Sequence, residues 1–337
     1  MMYAFAATVD LKGSYLKALL HWWVRLSVIL CVLTITSLVY YGLSGYASLL
    51  IQPAPEMKSL LPFARASAVF YTPSMFASFL HVSIAFLLAL MLSKNNFKYS
   101  HVFYLILMLV CAIFTESRII LGIFITIFLA ILPVRNSKFI SMLKYMTFVS
   151  VVVLSMFVLL VNMWCVFPAK VESNKDACNL SISINTAPSP YAILNDISFK
   201  IIGKGLWTGI GPGMFNQVMP SLVNWDTAEK TYKTKGFMTK DVALDPHNTY
   251  LGWAAESGVL FIVIFLIMII GMARFIWNGY AASTDDFIKT LCYVCLCGLV
   301  GFMINALYID IITMRQFWLM LGIGTSSAAF VLNRPKA

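Results

Sequence analysis

Charge is what this sequence has least of. Only 11% of its 337 residues are Asp, Glu, Lys or Arg, against about 25% in an ordinary soluble domain, which excludes a water-soluble globule. Glycine, proline and cysteine are also modest, at 18, 12 and 7 residues, so collagen-like, low-complexity and disulfide-scaffold classes fail as well. Histidine is rarer still. The four are at 21, 81, 101 and 247, in different segments, and no cluster of carboxylates accompanies them, so the sequence offers no metal site. What is abundant is apolar surface: 60% hydrophobic residues, 14% aromatic. The class that remains is an all-α polytopic membrane protein.

A bilayer core takes roughly 17 to 25 apolar residues per helix. Stretches of that kind run from Leu26 to Tyr46, Thr72 to Leu92, Tyr145 to Val166, Tyr250 to Met272 (with Glu256 near its start), Thr290 to Ile309 and Gln316 to Leu332. Tyr99 to Pro133 is too long for one span: its 35 residues would run about 50 Å as a helix. Its middle holds Thr115-Glu116-Ser117-Arg118, the only charges in the stretch. Read as a hairpin, it gives eight transmembrane helices. Twelve basic residues (Lys12, Lys17, Arg25, Lys94, Lys98, Arg135, Lys138, Lys144, Arg274, Lys289, Arg334 and Lys336) then fall on one side, which the positive-inside rule assigns to the cytoplasm together with both termini. The basic residues before the first span are followed by no small-residue cleavage site, so the start reads as a span rather than a cleaved signal.

The expected organisation is therefore 1–166 with five spans, 167–248 as one long periplasmic loop, and 249–337 with three spans. An 82-residue loop, Phe167 to Asn248, is far beyond the length usual for a structureless connection. Within it Tyr191, Ile193, Leu194, Ile197, Phe199, Ile201 and Ile202 recur at the spacing of a short amphipathic helix lying on the membrane. Gly209-Ile210-Gly211-Pro212-Gly213 follows, a turn whose amides could face an anion or simply reverse the chain. Cys165 and Cys178 could form a disulfide in an oxidising compartment or stay as two thiols. Cys292, Cys295 and Cys297 lie within a span and read as packing residues. The net charge of +10 follows from orientation and eight loop lysines rather than from nucleic-acid binding; those lysines could meet anionic lipid headgroups.

Three polar residues stand near the outer ends of spans. Arg65 precedes the second, Arg118 sits at the hairpin apex, and His247 precedes Asn248 at the mouth of the sixth. Guanidinium groups bind phosphate oxygens bidentately and stay charged. A histidine, ordinarily titrating near 6.5, can take a proton from a hydroxyl at neutral pH. Together these side chains suit group transfer from a lipid diphosphate. The span interiors are nearly free of charge, which argues against a transporter for a lipid-linked sugar, a class that places ionisable groups or broken helices at midplane.

Four stretches in this order resemble the bacterial O-antigen ligase and polymerase family: Arg65 to Ala77, Thr115-Glu116-Ser117-Arg118, Gly209 to Phe215, and Pro246-His247-Asn248-Thr249-Tyr250-Leu251 running to Glu256-Ser257-Gly258. The resemblance implies a GT-C-like membrane glycosyltransferase, without metal or cofactor, inverting at the anomeric carbon, and working at the periplasmic face of the inner membrane. The donor it implies is an undecaprenyl-diphosphate-linked glycan. The acceptor is lipid A core, another repeat unit (a polymerase) or a protein (an O-linked oligosaccharyltransferase), with the ligase ranked first. His247 and Arg118 would be catalytic, with Arg65, Arg118, Asn248, Gly211 and Gly213 binding substrate. Two departures stand out. Gly258 is followed three residues later by Phe261 where ligases usually have a second glycine, and the family's ligases usually carry more spans.

Overall fold

The computed structural model describes residues 13–52, 64–93, 98–133, 147–148, 150–152, 164–167, 185–188, 190–223 and 246–333. The fold is that of an all-α polytopic membrane protein. Among the described residues four helices are long and apolar enough to cross a membrane: α1 (Gly13–Ser44), α2 (Pro73–Leu92), α8 (Val259–Ala282) and α9 (Asp286–Asn305). Two shorter apolar helices, α3 (Tyr99–Phe114) and α4 (Ile119–Ile131), flank a turn at residues 115–118. The remaining helices are α5 (Pro190–Lys204), α6 (Phe215–Leu222), α7 (Thr249–Ser257) and α10 (Arg315–Leu332). Strand pairing is slight. β1 (Ile51–Gln52) pairs antiparallel with β2 (Arg65–Ala66), and β3 (Trp164–Phe167) with β4 (Asn185–Pro188).

The chain divides into two compact units. The first contains α1 to α4, α9, α10 and the later part of α8. With no water in the hydrocarbon to satisfy them, several of its buried polar groups pair with one another or with backbone. Asn305 of α9 donates from Nδ2 to the Ile119 carbonyl at 3.2 Å and accepts the Gly122 amide at 3.1 Å. The approach is close because both helices carry glycine here. A methyl on Gly301 would run into the Gly122 carbonyl and the Thr126 hydroxyl, and one on Gly122 into Asn305. Lower in the same seam the Thr126 hydroxyl donates to the Gly122 carbonyl at 2.8 Å and meets His81 Nε2 of α2 at 2.7 Å. The His81 ring stacks on Phe302, centroids 4.2 Å apart. Ser83 ties α1 to α2 through Trp23 Nε1 and the Ser27 hydroxyl, which donate to it at 2.9 and 2.8 Å.

The second unit contains α5, α6, α7, β3, β4 and the first residues of α8. Leu194, Ile197 and Ile201 of α5 pack with Phe215 and Met219 of α6 and Ala255 of α7. The amphipathic helix expected over this stretch is present: Leu194, Ile197 and Ile201 of its stripe pack on these two helices, while Phe199 is exposed.

Three expected span boundaries move. The first helix begins at Gly13, well before the expected Leu26. The fifth, Tyr145 to Val166, lies largely outside the described residues, and its last residues belong to β3, whose ladder to β4 takes their backbone groups. The sixth does not run unbroken from Tyr250: α7 ends at Ser257, and Gly258, at φ +83°, turns the chain before α8 starts at Val259. That left-handed backbone is open to glycine and costly for other residues. Of the cysteine pair, Cys178 lies outside the described residues and the Cys165 side chain is not described.

Candidate active site

In the first unit the candidate residues gather at one end of the helix bundle. Leaving α1, the chain forms β1, and β2 pairs back on it with Gln52 opposite Arg65. The Ser67 and Ala68 amides then donate to the Leu50 carbonyl at 3.2 and 2.9 Å. This anchored strand aims Arg65 at the α3–α4 turn. Its Nε and Nη2 donate to the Thr115 carbonyl at 3.1 and 3.0 Å, and Nη2 also reaches the Glu116 carbonyl at 3.3 Å. The Glu116 carboxylate lies 3.9 Å from Nε and its side chain is largely buried. The acceptors are carbonyls at the C-terminal end of α3, which have no partner within the helix and carry the negative end of its dipole. A guanidinium fork is the side chain that can serve two of them at once.

The turn itself is tight. Glu116 sits at φ +49°, an uncommon conformation for a residue with a side chain. The Thr115 hydroxyl donates to the Ala112 carbonyl at 2.6 Å and accepts the Ser117 amide at 3.2 Å. Ser117, buried, accepts the Ile119 amide at 3.4 Å and lies 3.5 Å from the Ser74 hydroxyl near the start of α2. The next residue, Arg118, caps α4 with its backbone and is half-buried. Its charge is felt at Tyr308, beyond the end of α9: burial pushes that phenol up from its ordinary value and the nearby guanidinium draws it back.

In the second unit the other candidates surround α7. Asn248 is its N-cap, with Oδ1 accepting the Leu251 amide at 3.0 Å. It is buried, whereas His247, one residue earlier, is exposed. Gly252, one turn on, packs its bare Cα side against the Pro246 ring, where a methyl would stand 2.6 Å from Cγ. That contact fixes the segment that carries His247.

The glycine-rich turn is fastened to the other end of α7. The Ile210 and Gly211 amides donate to the Ala255 and Glu256 carbonyls at 3.0 and 2.8 Å. Glu256 then folds over the turn, its two carboxylate oxygens accepting the Gly213 amide at 3.0 Å and the Phe215 amide at 3.1 Å. The glycines are required: Gly209, Gly211 and Gly213 all have positive φ, and a methyl on Gly209 would collide with the Glu256 carbonyl. The amides of Gly211 and Gly213, read from the sequence as able to face an anion, are thus taken by Glu256. In the sequence Glu256 is the only acid in an apolar stretch, and spacing alone assigns it no role. That isolation was the available signal, since an acid placed among apolar residues needs a partner.

Residues 103–266 match the O-antigen ligase family. That stretch is similar to an O-antigen ligase domain. The matched stretch takes in the Thr115–Arg118 turn, the glycine-rich turn and the His247–Gly258 segment, while Arg65 lies before it. A search of curated proteins returned no match. The matched domain supports an O-antigen ligase- or polymerase-type glycosyltransferase, a class that in general takes a lipid-linked glycan donor and a glycan acceptor.

Proposed function

We propose that this protein transfers a glycan from undecaprenyl diphosphate to lipid A core at the periplasmic face of the inner membrane, in an eight-span topology with both termini cytoplasmic. In this reading an acceptor hydroxyl attacks the anomeric carbon of the donor sugar and His247 takes the hydroxyl proton. The new glycosidic C–O bond forms as the bond to the diphosphate oxygen breaks. The polyprenyl diphosphate leaves with its charge balanced by Arg118, and the histidine returns its proton to solvent. Asn248 and Glu256 hold α7 and the glycine-rich turn in shape, and Arg65 holds the turn that presents Arg118.

The observation that carries the reading is the placement of an exposed His247 directly ahead of a capped helix inside the family-matched stretch. The exposure lets a substrate approach the residue, and the cap orders the helix that follows it. The test is the lipopolysaccharide profile of a deletion strain complemented with wild-type or H247A protein at equal membrane levels. A ligase gives loss of all polymer on lipid A core in the deletion and in H247A. Core carrying one repeat unit would instead assign a polymerase, and an unaltered profile with H247A would remove the histidine from the chemistry.

A further inference from the structure

We propose that Leu206 and Trp207 form an interfacial anchor that seats the glycine-rich turn in the headgroup layer of the bilayer. The loop that carries them is joined to the first residue of a membrane-spanning helix: the Val259 amide of α8 donates to the Leu206 carbonyl at 2.9 Å. Next to it the Trp207 carbonyl approaches Gly258 so closely that a methyl there would collide with it. Two consecutive backbone contacts therefore fix Trp207 at the N-terminal end of α8.

The depth of that end follows from length. With 24 residues, α8 runs about 36 Å at 1.5 Å per residue, against a hydrocarbon core of about 30 Å. Its first residues hence lie at the boundary of the hydrocarbon, where Trp is enriched because its ring is apolar and its indole N–H still reaches water.

The side chains fit that depth. Trp207 is 68% exposed and Leu206 45%, although both are large and apolar. Neither joins the packed cluster of α5, α6 and α7, which is built from Leu194, Ile197, Ile201, Phe215, Met219 and Ala255. On α8 itself Leu260, Val263 and Ile264 are likewise exposed, as expected of a helix whose first turns face lipid. The occupant that suits an exposed indole beside an apolar helix end is the headgroup and upper acyl region of the membrane. Since the same loop continues into Gly209–Gly213 and is bonded to α7, the anchor also sets the height of the segment that carries His247. That consequence rests on the proposed function; the anchor rests only on α8 spanning the membrane.

The test uses the full chain in bilayers, without substrate. Tryptophan emission is recorded for wild-type and W207F protein in phosphatidylcholine brominated near the headgroup or deep in the acyl chain, and with aqueous iodide. The expected result is that W207F loses a component quenched by the shallow bromines more than by the deep ones. A component quenched by iodide and by neither lipid would overturn the anchor, as would a W207D variant that changes the cross-linked oligomeric state, which would assign the patch to a second copy. W207F also keeps an aromatic ring at an exposed site, so its folding is not at issue.

Discussion

Arg65 and Thr115, separated by 50 positions in the chain, are joined by two hydrogen bonds to one carbonyl, from Nε at 3.1 Å and from Nη2 at 3.0 Å. The relationship gives Arg65 a different task from the one its residue type first suggests. Hydrogen bonds from a charged donor contribute about 1.5–3 kcal/mol each, whereas the 3.9 Å separation from the Glu116 carboxylate is too long for a hydrogen bond. The guanidinium is therefore held chiefly by turn carbonyls. R65A is expected to destabilise the protein by about 2–3 kcal/mol, and R65K to recover little of it, because one ammonium cannot reproduce the fork. Thermal unfolding in detergent checks this. A raised KM for donor with an unchanged unfolding temperature would instead assign Arg65 to the diphosphate.

Much of the fold was legible in the sequence because membrane helices announce themselves by what they exclude. The scarcity of charge located α2, α9 and α10 to within a few residues and the C-terminal end of α1, whose start at Gly13 lies well before the expected Leu26, and the Thr115–Arg118 charges located the turn between α3 and α4. The break at Gly258 was hidden: apart from Glu256 and Ser257 the stretch is apolar on both sides of it, and a positive φ leaves no mark on hydropathy. The carbonyl partners of Arg65 were hidden for another reason. They are backbone atoms, and side-chain spacing carries no information about which backbone groups a distant arginine meets.

Glu256 gives a second test at the glycine-rich turn. Its two oxygens serve two amides, so E256Q keeps one acceptor and E256A none. Leaving a partly buried donor unpaired costs about 1–3 kcal/mol, and a graded series is expected, wild type above E256Q above E256A. Hydrogen exchange over residues 209–222 reads it directly, with the Gly213 and Phe215 amides losing protection first. Equal protection in all three proteins would show that the turn holds its shape through Ile210 and Gly211 alone.

The seam between α4 and α9 depends on two glycines meeting. A methyl at Gly301 would face the Gly122 carbonyl and the Thr126 hydroxyl at once, and G301A is expected to force the helices apart, breaking the Asn305 bonds to Ile119 and Gly122. Overpacking of this kind costs about 1–3 kcal/mol. N305A removes the same bonds without adding bulk. Because both variants act on one contact, their effects on the unfolding temperature should be less than additive in the double mutant; full additivity would mean that Asn305 acts elsewhere.

His247 and Asn248 are neighbours with opposite burial, and that contrast separates chemistry from scaffolding. Asn248 is buried and caps α7 through its bond to the Leu251 amide. Loss of an N-cap costs about 1 kcal/mol, and Asp is an equally good cap, so N248A is expected to lower stability while N248D retains it. Exposed His247 belongs to the class of surface positions where substitution shifts stability by within about 0.5 kcal/mol. H247A is accordingly expected to leave the unfolding temperature near wild type and to abolish transfer. Measured side by side on purified protein and in complemented cells, N248A should lose stability and activity together and H247A activity alone. A parallel loss of stability in H247A would assign the histidine to the turn before α7 rather than to the substrate.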